Sequence, residues 1–146
     1  MAKTWDRRAV LAAGSVGLGA VCCRLQVAHA SETGPAFFLA EAERMGQQAV
    51  AAGDQAYGAV LVLDNKIVGY GPSRVVSDRN PNAHAERVAI WAAQIALKRK
   101  DLTGAILYST SRPCPGCEAA AAEANVARMI HGAGIGSDAG KPQRRS

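Results

Sequence analysis

The chain has no long apolar run after its first thirty residues. Nothing from residue 31 onward approaches the ~18 apolar residues that span a bilayer, so that part carries no transmembrane helix. It also lacks a strong charge of one sign. The formal net charge is +5, but residues 1–30 hold Lys3, Arg7, Arg8 and Arg24 against Asp6 alone. Three of the five surplus charges therefore belong to that segment, and two to the rest. A nucleic-acid partner usually requires a concentrated basic patch. Part of the remaining surplus is Lys141, Arg144 and Arg145 near the C-terminus, which reads as a solvated tail. Nucleic acid is therefore not the expected partner. Internal repeats are absent, and 146 residues suffice for one domain. Cysteine and histidine are scarce: after residue 30 only Cys114, Cys117, His84 and His131 remain.

What is present begins with an address. Lys3, Arg7 and Arg8 form a basic start, Ala9 to Val21 is mildly apolar, and Ala28-His29-Ala30 offers small residues at −3 and −1. The arginine pair followed by Val10 and Leu11 resembles a twin-arginine export signal. The modest hydrophobicity and Arg24 before the cleavage site favour that route over the general secretory one, which stays open. Residues 1–30 are thus expected to be a signal peptide cut before Ser31. The product would be periplasmic or exported, with no stable membrane anchor after processing.

Beyond it, Phe38, Leu39, Ala42, Met45 and Ala49 recur at helical spacing, so 36–52 reads as a helix. Ala59 to Leu63 and Lys66 to Tyr70, split by Asp64-Asn65, read as a hairpin. A second helix is expected over 83–98, with Val88, Trp91, Ala92 and Ile95 as its buried stripe. A third strand is expected over 105–110, a third helix from Pro113 to about Ala127, and a fourth strand over 128–131. Residues 133–146 show no periodicity and read as a short basic tail behind a domain of residues 31–132. This element order implies one sheet with helices on both faces, an α/β fold.

Two clusters carry chemistry. His84-Ala85-Glu86 opens the second helix, and Pro113-Cys114-Pro115-Gly116-Cys117 opens the third. Zinc favours nitrogen and sulfur ligands, and a catalytic site uses three and leaves a position for water. His84, Cys114 and Cys117 make such a set. The positive end of a helix favours the thiolate form that binds metal, and prolines suit the first turn, where their missing N–H costs little. Glu86 stands beside this set as a carboxylate able to take and return protons. Two residues on from His84 is nearly the opposite face of a helix, so spacing alone does not bring them together. His131 ends a strand and reads as structural, and Trp91 reads as core.

His-x-Glu followed by Pro-Cys-x-x-Cys resembles the zinc deaminase signature. The chain is similar to the cytidine/deoxycytidylate deaminase superfamily, in the branch with guanine, nucleoside and tRNA-adenosine deaminases. Tyr57-Gly58-Ala59-Val60, Asn80 to Glu86 and Leu107 to Thr110 extend the likeness over about Phe38 to Gly132. The resemblance implies a three-layer α/β/α sandwich with a mixed sheet, C-terminally short. It implies one zinc per chain on His84, Cys114 and Cys117. It also implies hydrolytic deamination, with Glu86 moving protons as zinc-activated water replaces ammonia. Tyr57, Gly58, Ala59, Ser73, Ala85 and Pro113 would line the substrate site. The expected substrate is a free base or nucleoside, and a homodimer is left open. Ser73 stands where many relatives have Asn, and Arg112 where Glu is common. Other readings remain: an inactive deaminase-fold zinc protein that binds a ligand or partner, and a redox or disulfide Cys-x-x-Cys pair.

Overall fold

The structure, a computed structural model, describes residues 33–144. Helix α1 spans Pro35–Ala51, with proline in its first turn, where it costs no hydrogen bond. It buries Phe38, Leu39, Ala42, Met45 and Ala49, the stripe expected from spacing. Strands β1 (Gly58–Leu63) and β2 (Lys66–Pro72) form an antiparallel hairpin. Its turn residues Asp64 and Asn65 both take positive φ, 50° and 59°, as a two-residue turn matching strand twist requires.

Helix α2 (Ala85–Leu97) leads to β3 (Ile106–Ser109), α3 (Pro115–Glu123) and β4 (Arg128–His131). A fifth strand, β5 (Ser137–Gly140), follows. The sheet order is β2-β1-β3-β4-β5. All neighbours are antiparallel except β3 and β4, which are parallel and joined through α3. The sheet is mixed and the fold is α/β.

Strand β1 is buried on both sides, so its apolar run is continuous rather than alternating. Val60 and Val62 pack with Phe38, Leu39, Met45 and Tyr108 on the α1 face. Ala59 and Leu61 pack with Ala85, Ala89, Ala93, Leu107 and Ala121 on the α2/α3 face. Three layers result. Burying Phe38 and Leu39, each at 2% exposure or less, contributes about 1.5–3 kcal/mol per side chain.

Two expectations fail. Trp91 is 38% exposed and Ile95 77%, so they are not the buried stripe of α2. The face that packs on the sheet is Ala85, Ala89 and Ala93, set against Gly69 and Gly71 of β2. A Cβ on Gly71 would collide with the Ala85 carbonyl, and one on Gly69 with that of Ala89. The helix backbone lies directly on the strand, and Trp91 and Ile95 turn outward while Val88 and Ile90 stay buried. Residues 133–146 are not all irregular tail either. Arg128 pairs with Asp138 across β4 and β5, and Met129 of β4 is buried.

Candidate metal centre

Helices α2 and α3 begin at the same place. His84 is the N-cap of α2 and Cys114 the N-cap of α3. Both take extended backbone, with ψ of 153° and 163°, so neither side chain follows helical spacing. That resolves the opposite-face problem. His84 precedes the helix while Glu86 lies inside it, and both border one cavity. Cys114 Sγ accepts a hydrogen bond from the Cys117 backbone N–H at 3.4 Å, as an N-cap oxygen would.

The His84 Nδ1 lies 3.7 Å from Cys114 Sγ and 3.5 Å from Cys117 Sγ. All three donor atoms fall within 4.8 Å of one another. Tetrahedral zinc, with Zn–S near 2.3 Å and Zn–N near 2.0–2.1 Å, places sulfur and nitrogen about 3.6 Å apart. The donor set therefore fits one zinc ion, with a fourth position free of protein ligand. Both cysteines are free thiols here, so the Cys-x-x-Cys pair is not a disulfide.

Burial, and then the neighbouring Glu86 carboxylate, pushes the Cys117 thiol far above its ordinary value. Zinc must displace that proton, so binding is coupled to pH. The two helix N-termini point positive potential at the same spot and favour thiolate.

Glu86 is 6% exposed and borders a cavity of about 470 Å³ together with His84 and Cys114. Tyr57, Ser73 and Ala85, expected near substrate, also line it, with Gln55, Ser111 and Arg112. Gly58, Ala59 and Pro113 do not. Gly58 packs on α1, where a Cβ would strike the Ala42 carbonyl and Gly46 nitrogen. Ala59 belongs to the sheet core between Gly71 and Ser109, and Pro113 is buried.

Residues 34–133 match the family described as the cytidine and deoxycytidylate deaminase zinc-binding region. The chain belongs to that family. A tRNA-specific adenosine deaminase of Agrobacterium fabrum is 41% identical over 76 residues, 52% of this chain and 50% of that protein. A guanine deaminase of Bacillus subtilis is 38% identical over 81 residues, covering 55% and 52%. The X-ray structure of Bacillus subtilis guanine deaminase superposes with TM-score 0.63 at 35% identity, covering 66% of this chain and 62% of that one. The chain spans about half the length of the curated relatives it matches. His84, Cys114 and Cys117 thus form a group able to hold one zinc ion within a domain of a zinc-binding deaminase family.

One organising residue had no sequence signal beyond a helix end. The Asp54 carboxylate accepts hydrogen bonds from the Ser73 hydroxyl at 2.9 Å and the Gln55 N–H at 2.8 Å. It also accepts from the Val76 N–H at 3.0 Å, the Ser77 N–H at 2.8 Å and the Ser77 hydroxyl at 2.9 Å. It ties the loop after α1 to the loop after β2, and so fixes two walls of the cavity. The Ser73 hydroxyl proton is therefore committed to Asp54. Desolvation opposes the charge, but the Ser77 and Gln55 N–H groups and the two serine hydroxyls outweigh it, holding Asp54 well below the usual carboxylate range.

The folded-state pKa of Asp54 lies below its unfolded value near 3.9. Its contribution to stability is complete above that value and is lost as pH falls below it. Asp54→Asn is expected to melt lower than wild type at pH 7, with the gap closing between pH 5 and pH 2. Thermal melts across that range check it, and a gap that stays constant counts against the clamp.

Proposed function

We propose that this protein is a zinc-dependent hydrolytic deaminase of a nucleobase or nucleoside. The observation that carries the reading is Glu86. It is a buried carboxylate outside the zinc donor set, yet it borders the same cavity as His84 and Cys114. Zinc, when bound, supplies Lewis acidity and makes water a competent nucleophile near neutral pH. Glu86 is placed to take a proton from the attacking water, then return protons to the ring nitrogen and the leaving amine. A C–O bond forms, the C–N bond breaks, ammonia departs and Glu86 ends as it began. Small-ligand sites commonly enclose about 300–1,000 Å³, a range that includes this cavity.

A second reading has one observation behind it. Arg112 is exposed on the cavity lining, beside no acidic group of that lining but Glu86. A guanidinium there suits a phosphate on the substrate, whether of a mononucleotide or of RNA such as the tRNA named for relatives. Export through the twin-arginine signal completes the proposal. Residues 1–30 lie outside the described residues, so its support is the sequence alone.

The test is ammonia release by the zinc-loaded, processed protein against bases, nucleosides, nucleoside monophosphates and a tRNA anticodon stem-loop. Release from bases or nucleosides, indifferent to Arg112→Gln, supports the first reading. Release restricted to phosphate-bearing substrates, and reduced at least tenfold by Arg112→Gln, supports the second. Silence from a folded, zinc-loaded protein sinks both and leaves a binding module. N-terminal sequencing of the same material is expected to begin at Ser31, and an intact N-terminus would remove the export proposal.

A further inference from the structure

The zinc donors come from the starts of two helices, His84 and Cys114 standing 30 positions apart in the chain. Something must hold the two helix starts at the spacing that the metal needs. Arg87 lies in the first turn of α2, three residues after His84. Its Nη2 donates to the Gly116 carbonyl at 2.9 Å, inside the Cys114–Cys117 turn. Its Nη1 donates to Asn82 Oδ1 at 3.3 Å, in the loop leading to His84. Asn82 is in turn held by its own N–H on Asn80 Oδ1 at 3.0 Å. One planar guanidinium thus bridges the segments that carry the two halves of the donor set.

Gly116 makes room for it. A Cβ at Gly116 would lie 3.3 Å from Arg87 Nη2 and 3.9 Å from Cys114 Sγ. The guanidinium occupies space that a side chain would need, immediately beside a zinc ligand. The fork geometry matters, because a lysine is a single point of attachment and cannot hold both acceptors at fixed separation.

We propose that Arg87 is a positioning residue of the metal centre, clasping the α3 start to the α2 start so that His84 and the two cysteines meet at zinc-binding distance. The proposal rests on the zinc assignment above. Groups that orient metal ligands without touching the metal typically change affinity about 10–100-fold when removed.

The test measures zinc affinity of the full chain by competition with a chromophoric chelator, and the visible spectrum of the cobalt(II)-loaded protein. Arg87→Met is expected to weaken zinc about 10–100-fold and to shift the cobalt bands, which report ligand geometry. Asn82→Ala, an exposed position that removes one arm only, is expected to shift both in the same direction by less. Arg87→Lys is expected to recover part of the loss. Unchanged zinc affinity and cobalt spectrum in Arg87→Met, with only a lower melting temperature, would reduce Arg87 to a packing role and overturn the proposal. Full recovery in Arg87→Lys would overturn it too, because charge alone would then suffice. Failure of wild type to bind zinc is a different result: it removes the zinc assignment itself, and the clasp with it.

Discussion

Glu86→Gln is expected to lower ammonia release by about 10²–10⁴-fold, the range for loss of a positioned general acid–base, while zinc content stays at wild type. The two halves of that expectation come from different facts. Glu86 is outside the donor set, so an uncharged isostere leaves the metal its three ligands. Only the proton transfers suffer, and 10²–10⁴ corresponds to about 3–5 kcal/mol of barrier. The swap also has a favourable side. The Glu86 carboxylate is one reason the Cys117 thiol is raised, so the amide should make thiolate formation easier and zinc binding no weaker. Steady-state ammonia release and metal content on the same preparation decide it. Activity within threefold of wild type would remove Glu86 from the chemistry. Activity lost together with zinc would make Glu86 a structural support of the site.

The parts of this molecule legible in its sequence are those governed by local rules. The α1 stripe follows from 3.6-residue spacing against an apolar sheet face, and Asp64-Asn65 announces a two-residue turn. His84, Cys114 and Cys117 were legible because zinc chemistry restricts residue type and number. Of the expected α2 stripe Val88 is buried but Trp91 and Ile95 are not, because the rule of large apolar residues inward assumes ordinary helix–sheet separation. Gly69 and Gly71 let the helix sink onto the strand, so alanines face inward and Trp91 and Ile95 outward. Strand β5 has no apolar alternation, since Ser137, Asp138, Ala139 and Gly140 are polar or small. Its place is set by pairing to β4 and by the Arg128–Asp138 contact. Asp54 and Arg87 act across 19 to 29 residues of chain, through side-chain hydrogen bonds that no periodicity encodes.

Cys117→Ala is expected to abolish activity by a different route, through the metal. With one donor removed, only His84 and Cys114 remain, and no other histidine or cysteine among the described residues joins the cluster. Zinc content should fall from one per chain to near zero after dialysis against a mild chelator, and ammonia release should fall with it. The fold should survive. Cys117 is buried at 1% exposure, but the cores on the two sheet faces are built from Leu61, Leu107, Met129, Phe38 and Leu39, far more apolar surface than one thiol supplies. Replacing a small buried side chain by alanine leaves a small cavity, and the cost scales with its volume. The wild-type protein should therefore be stabilised by added zinc through mass action, and the variant should not. Melting curves with and without zinc, beside metal analysis, separate the outcomes. A variant that keeps its zinc and its activity would mean that another group, not Cys117, completes the donor set. A variant that loses its fold along with its zinc would make the metal structural rather than catalytic.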